Sequence, residues 1–147
     1  MDEFIHNDET RLALNLVRRG ESFFITGKAG TGKTFLLKKI VAECRARGKS
    51  VVVTAPTGVA AKNAEGQTIH SLLRLKPSMF IPNKMRLSYR LDPAQEKIIK
   101  NLDVLVIDEI SMVRSDLLDK VNLTLQHYKS PTMRYLPLLF FSRLSSG

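Results

Sequence analysis

One short glycine-rich segment restricts the fold of this chain more than any other feature. Residues 27–34 read GKAGTGKT and follow the apolar run SFFIT. The segment fits the pattern G-x-x-x-x-G-K-[ST], in which backbone N–H groups and the start of the following helix surround phosphate groups. Its glycines allow a close approach of the backbone and torsion angles that other residues avoid. Because the pattern requires a strand before it and a helix after it, it predicts an α/β domain with a phosphate loop.

The last two residues of this loop have specific expected roles. Lys33 is expected to reach the β- and γ-phosphates of a nucleoside triphosphate, and the Thr34 hydroxyl to bind Mg²⁺. The four fixed positions coincide by chance at on the order of one starting position in 10⁴ to 10⁵, so a chance match in a short chain is rare. The predicted nucleotide-binding residues are Gly27, Lys28, Ala29, Gly30, Thr31, Gly32, Lys33 and Thr34.

Strand and helix patterns alternate along the chain. Three almost continuously apolar runs, at 23–26, 51–54 and 104–107, are typical of strands buried on both faces of a parallel sheet. Helices are predicted before Gly20, from the loop to Gly48, from Asp92 onward and from about Ser115. This alternation predicts a three-layer αβα domain with a parallel sheet. The apolar positions expected in these helices are Leu12, Leu14, Leu16 and Val17; Leu36, Leu37, Ile40, Val41 and Cys44; Ile98, Ile99 and Leu102; and Leu118, Val121, Leu125 and Tyr128.

Two carboxylates follow the third predicted strand, in the segment VLVIDEISMV. Asp108 is predicted to hold Mg²⁺ through water, and Glu109 to orient or deprotonate the attacking water. The alternative is an acidic pair that only ends a strand; the phosphate loop in the same chain favours catalysis. Two carboxylates near the phosphates predict hydrolysis of the triphosphate, with Lys33, Asp108 and Glu109 as the catalytic residues.

Composition adds bounds on size, partner and location. A length of 147 residues suits one domain with one sizeable core. The net charge of +9 fits a polyanionic partner such as nucleic acid, and equally a merely basic surface. The single cysteine, Cys44, has no disulfide or zinc partner and is predicted to be a buried hydrophobe. No apolar run approaches 18 residues and the N-terminus is acidic, so we expect a cytoplasmic protein without a membrane span.

Residues 51–75, VVVTAPTGVAAKNAEGQTIHSLLRL, carry a third motif. Together with GKAGTGKT and IDEISMV, in this order and spacing, it resembles the PIF (petite integration frequency) and RecD-like branch of superfamily 1 DNA helicases, and its bacterial members in particular. The resemblance covers roughly residues 7–128. It implies a RecA-like, phosphate-loop NTPase domain of an enzyme that uses ATP and Mg²⁺ to move 5′ to 3′ on single-stranded DNA and to unwind duplexes.

The same resemblance implies contacts with single-stranded or partly duplex DNA. In the family the segment after the second strand touches the DNA backbone, which small residues and hydroxyls approach without reading the sequence. The alternatives are an ordinary strand-to-helix turn at Thr57 and Gly58 and a structural histidine at His70. Oligomeric state is left open. The DNA-binding residues implied by the resemblance are Thr57, Gly58, Thr68, His70 and Ser71.

Three parts of the sequence depart from the family pattern. Thr10 and Arg11 stand in the segment where the family has an adenine-recognising glutamine, and Glu65 stands where glycine is common. Residues 129–147 lack both the Gly-Asp-x-x-Gln motif and the second motor domain with its arginine finger. We therefore expect a RecA-like domain over residues 1–128 that is incomplete at its C-terminus. Residues 129–147 are expected to be a divergent tail from truncation or a frameshift, with the apolar run LPLLFF uncovered.

Three functions therefore stay open for this chain. The first is an ATPase of the helicase lineage, coupled to single-stranded DNA. The second is a nucleotide- and DNA-binding module without turnover, which the missing motifs favour for a short chain. The third is an AAA-type phosphate-loop ATPase, which would need its own sensor and arginine motifs.

Overall fold

The computed structural model describes residues 8–27, 32–75, 91–129 and 137–143. Within these ranges the chain forms five strands, six α-helices and one 3₁₀ turn at Ile110–Met112. The strands are β1 (Phe23–Gly27), β2 (Val51–Ala55), β3 (Gln67–Thr68), β4 (Val104–Ile107) and β5 (Leu138–Arg143). The helices are α1 (Asp8–Arg18), α2 (Lys33–Ala46), α3 (Gly58–Asn63), α4 (Ile69–Leu73), α5 (Pro93–Asn101) and α6 (Ser115–Lys129).

The five strands form one parallel sheet in the order β1-β5-β4-β2-β3. In its register Phe23 lies opposite Leu139, and Val51 lies opposite Val104. Because all strands run in the same direction, the phosphate loop after β1 and the carboxylates after β4 emerge at the same edge. The predicted α/β fold with a parallel sheet is confirmed.

Two apolar cores cover the two faces of the sheet. Neighbouring residues of one strand point to opposite faces, so Val106 belongs to one core and Leu105 to the other. Helices α1 and α2 contribute to the first core, whereas α4, α5 and α6 contribute to the second. This arrangement is the predicted αβα layering. The first core includes Leu14, Leu37, Ile40, Val53, Val106 and Phe141, and the second includes Leu72, Ile99, Leu105, Ile107, Val121 and Leu125.

The helix signals in the sequence are largely confirmed. The Asp92 side chain caps α5 by accepting a hydrogen bond from the Gln95 N–H at 3.0 Å, and Pro93 is the first helical residue. Cys44 is buried, and burial raises the pKa of its thiol. Two of the expected apolar positions are exposed, Ile98 to 39% and Leu12 to 57%. Both side chains lie off the narrow strip of their helix that meets the core.

Strand β5 corrects one expectation about the C-terminal residues. Leu138–Arg143 lies between β1 and β4, and Leu139 and Phe141 are buried in the first core. The prediction of an uncovered apolar run was therefore wrong, because alternate residues of this run face the two cores. An origin by truncation or frameshift stays a prediction.

The helices differ from a membrane span in length and apolar character. None of those in the described parts of the chain is long and apolar enough to cross a bilayer.

Candidate nucleotide-binding site

The phosphate-loop motif lies between the end of β1 and the start of α2. Gly27 is the last residue of β1, and α2 begins at Lys33. Gly32 has φ 84°, in the left-handed region that glycine adopts without strain. The first turn of α2 contains no acidic residue, so the partial positive charge of this helix start is not neutralised by its own side chains. The predicted residues Lys28, Ala29, Gly30 and Thr31 lie outside the described residues.

Lys33 lies at the centre of the described part of the site. Its side chain is buried, and the ammonium donates to Asp108 Oδ1 and, at 3.3 Å, to Glu109 Oε1. The same ammonium lies 5.9 Å from the centroid of the Phe141 ring, within range of a cation–π contact. The three residues predicted to be catalytic are thus in direct contact, although 75 residues separate Lys33 from Asp108 along the chain.

Backbone hydrogen bonds fix the two carboxylates at the end of β4. The Asp108 N–H donates to Thr54 O at 2.8 Å, which ties the residue to the end of β2. The Glu109 N–H donates to Asp108 Oδ1 at 3.0 Å. Glu109 itself has φ 54°, a left-handed conformation that costs a non-glycine residue about 1–2 kcal/mol. Residues in such strained conformations cluster at functional sites.

Strand β5 contributes two residues that the sequence did not predict. Phe141 lies beneath the Lys33 ammonium, and Ser142 is buried beside it. The Ser142 and Ser111 hydroxyls are hydrogen-bonded at 3.0 Å, so the end of β5 contacts the turn that follows Glu109. The sequence signal that could have indicated this strand is the apolar run LLFFS. Such a run is typical of a strand in a sheet that is covered on both faces.

The residues present fit a magnesium–nucleotide complex. Within the described ranges there is no group of three or more His, Cys, Asp or Glu side chains that could hold a metal ion alone. Mg²⁺ does not need such a group, because it is usually bound by one or two carboxylates together with substrate phosphates and water. Asp108 and the half-buried Thr34 in the first turn of α2 supply oxygen donors of that kind.

The residues that the resemblance assigns to DNA have two different environments. Thr57 and Thr68 are helix caps: their hydroxyls accept from the Ala60 N–H at 3.2 Å and the Ser71 N–H at 3.0 Å. Gly58, the first residue of α3, is exposed, as are Thr57 and Ser71. The strand-to-helix turn at residues 57 and 58 is therefore present, and it leaves both residues accessible.

His70 differs from these residues because its side chain is buried. Burial lowers the pKa of its imidazole, the nearby Arg114 lowers it further, and Asp116 partly opposes both. Its Nε2 has no hydrogen-bond partner among the described residues. His70 therefore lies on the core side of α4.

The fold and the Lys33–Asp108–Glu109 cluster define a phosphate-loop NTPase domain. A sequence model described as "PIF1-like helicase" matches residues 7–134. The chain belongs to the PIF1-like helicase family.

Individual relatives agree with this family. The chain is 37% identical over 123 residues to the ATP-dependent DNA helicase Pif1 of Psychrobacter sp., covering 80% of this chain and 18% of that protein. It is 39% identical over 115 residues to human PIF1, covering 78% and 18% of the two proteins. The chain thus spans less than a fifth of the length of these relatives.

Solved structures show the same likeness. Bacteroides Pif1 bound to ssDNA has a TM-score of 0.79 and 34% identity, covering 94% of this chain and 32% of that one. Bacteroides sp. Pif1 in complex with ADP-AlF4 gives the same values. DnaA from Aquifex aeolicus, at 17% identity and a TM-score of 0.55, shares the fold alone.

Proposed function

We propose that this chain is the ATP-binding part of a DNA helicase and that it hydrolyses ATP in response to single-stranded DNA. The observation that carries the proposal is the contact of Lys33 with both Asp108 and Glu109 at the end of the phosphate-loop motif. Membership of the PIF1-like family supports it, as does the likeness to a Pif1 structure in complex with ADP-AlF4.

Each side chain of the cluster has a distinct proposed role. Lys33 would exchange its two carboxylate partners for the β- and γ-phosphates, and Glu109 would accept a proton from the attacking water. Asp108 and the Thr34 hydroxyl would hold Mg²⁺, which would neutralise charge on the phosphates when bound. The backbone bonds of Asp108 keep its carboxylate in place as Lys33 moves between partners.

DNA is the proposed polymeric partner, and β2 offers a direct connection between the two sites. Thr54, in β2, accepts the Asp108 N–H at 2.8 Å, and the exposed Thr57 and Gly58 follow it by three and four residues. A DNA phosphate held at Thr57 would therefore act on the same strand that positions Asp108. The likeness to Pif1 bound to ssDNA and the net charge of +9 support this partner.

The proposal is tested by ATP hydrolysis with and without single-stranded DNA. We expect Glu109→Gln to bind ATP as the wild type does and to hydrolyse it about 10²–10⁴ times more slowly, because the amide cannot accept the proton. Glu21→Gln is the matched control, because it removes an exposed carboxylate that precedes β1, at the opposite end of this strand from the phosphate loop. Its hydrolysis rate should equal that of the wild type.

Two results would count against the proposal. Undiminished hydrolysis in Glu109→Gln would remove the assigned base. A wild-type chain that binds ATP and shows no turnover with DNA would instead be a binding module without catalysis.

A further inference from the structure

A second concave site lies at the opposite edge of the sheet, where the strands begin. Its volume is about 310 Å³, within the range of small-molecule pockets. Gly20 precedes β1, Lys49 precedes β2, Val104 begins β4, and Pro137 precedes β5. Parallel strands place this cavity a full strand length from the phosphate loop. We call it the basal cavity; its lining residues are Val17, Arg18, Arg19, Gly20, Cys44, Arg47, Lys49, Asp103, Val104 and Pro137.

Positive charge predominates around the basal cavity. Four cationic side chains line it, against the single carboxylate of Asp103. Asp103 Oδ2 accepts a hydrogen bond from the Ser50 N–H at 2.8 Å. Glu43, beside the rim, pairs with Arg18 Nε at 2.9 Å and with Arg47 Nε at 3.6 Å. With both carboxylates counted, two positive charges remain in excess.

Hydrogen bonds from these side chains to the ends of two helices do not account for this cluster. Cations are favourable near helix C-termini, and α1 and α2 both end here. Carbonyls in the last turn of each helix accept from backbone N–H groups: Arg19 N–H donates to Asn15 O at 3.1 Å, and Lys49 N–H to Cys44 O at 3.0 Å. Among the described residues, the side chains of Arg19 and Lys49 have no carboxylate within 4.0 Å.

The remaining donors suit an oxyanion. Arg18 and Arg47 use Nε for Glu43, so the terminal nitrogens of Arg47 and one of those of Arg18 keep N–H donors without a partner among the described residues. Guanidinium groups bind phosphate through pairs of parallel hydrogen bonds. Val17, Cys44, Val104 and Pro137 form an apolar wall, against which such bonds are less weakened by water.

We propose that the basal cavity is a second anion site, which binds a phosphate group through Arg19 and Lys49 with Arg18 and Arg47 held on its rim by Glu43. The phosphate is carried by a free anion or by a nucleic-acid backbone. The site is independent of ATP binding at the phosphate loop.

The test is a titration of the full 147-residue chain with pyrophosphate, followed by amide NMR. The amides of Gly20, Lys49 and Val104 report the basal cavity, and those of Gly32 and Lys33 report the phosphate loop, so the two sites are read separately. We expect saturable shifts at the basal amides. The double variant Arg19→Gln/Lys49→Gln should weaken this binding at least tenfold and leave the response of the phosphate loop unchanged.

A matched variant separates a built site from general charge attraction. Arg11→Gln/Lys97→Gln also removes one exposed arginine and one exposed lysine, neither of which lines the basal cavity. It should retain basal binding within twofold. An equal loss in both double variants, or no saturable shift at the basal amides in the wild type, would overturn the proposal.

A short single-stranded oligonucleotide then identifies the source of the phosphate. If it shifts the basal amides at lower concentration than pyrophosphate, the ligand is a nucleic-acid backbone. If only pyrophosphate shifts them, the ligand is a free anion.

Discussion

His70 is the residue whose position most changes its interpretation. The resemblance assigns it to contact with DNA. Its side chain is instead buried, and its charged neighbours are Arg114 and Asp116. Its backbone remains useful to the fold, because His70 O accepts the Leu75 N–H at 2.8 Å. Because the imidazole is buried, we expect its protonation to lower the free energy of unfolding.

The pKa of His70 predicts a specific pH dependence. Because burial lowers the pKa below its unfolded value of 6.5, the unfolded state binds the proton more readily. The stability contributed by neutral His70 is present above pH 6.5 and is lost as the pH falls through the lowered pKa. The free energy of unfolding should fall more between pH 7.5 and 5.5 for the wild type than for His70→Gln, by up to about 1.4 kcal/mol per pH unit. Urea denaturation at both pH values measures this difference.

The control for this prediction is His127→Gln, which removes an exposed histidine. It should preserve the pH dependence of the wild type. Parallel curves for the wild type and His70→Gln would contradict the assignment of His70 to the core.

Sequence reasoning identified residues of the candidate site where side-chain chemistry and spacing together restrict the role. Lys33 and Asp108 were recognised because few other patterns place a lysine after a glycine-rich loop and a carboxylate after a buried strand. Phe141 was not recognised, because its contact with Lys33 depends on how β5 enters the sheet. A contact between distant segments leaves no local pattern.

At the scale of elements, the turn between α3 and β3 shows how tightly backbone segments approach. Glu65 has φ 57°, which explains in physical terms why glycine suits this position. At the next residue, a Cβ atom on Gly66 would lie 2.3 Å from Val53 O and 2.8 Å from Val53 C. Both atoms belong to the backbone of β2, which is hydrogen-bonded to β4 and so cannot shift cheaply.

Gly66→Ala should therefore be strongly destabilising. We expect a loss of about 3 kcal/mol or more in the free energy of unfolding, at the upper end of overpacking effects. Gly58→Ala is the matched control, since its Cβ would meet nothing within 4 Å and alanine is a better helix former. Thermal denaturation of both variants separates the two outcomes, and equal melting temperatures would show that the turn is not closely packed against β2.

At the scale of the whole molecule, the sequence predicted the three strands that are continuously apolar. It did not predict the short strand β3 or the C-terminal strand β5. Runs 23–26, 51–54 and 104–107 became β1, β2 and β4. The two-residue β3 is too short to have a periodicity. β5 was missed because a six-residue apolar run fits a strand, a buried helix or an uncovered tail equally well, and only its pairing with β1 and β4 decides between them.

The position of β5 makes a prediction about the cooperativity of the entire domain. Phe141 is 0% exposed and joins α2, β1 and β4 in the first core, whereas Phe24 on β1 is 54% exposed. If β5 is an integral strand, Phe141→Ala should lower the free energy of unfolding by about 3–5 kcal/mol, and Phe24→Ala by about 1 kcal/mol or less. Both variants remove the same ring, so they differ only in its surroundings.

Urea denaturation monitored by circular dichroism should show one cooperative transition, shifted to lower urea in Phe141→Ala. Equal midpoints in the two variants would mean that residues 138–143 contribute no packing to the domain, and that the sheet is held together by β2 and β4 without them.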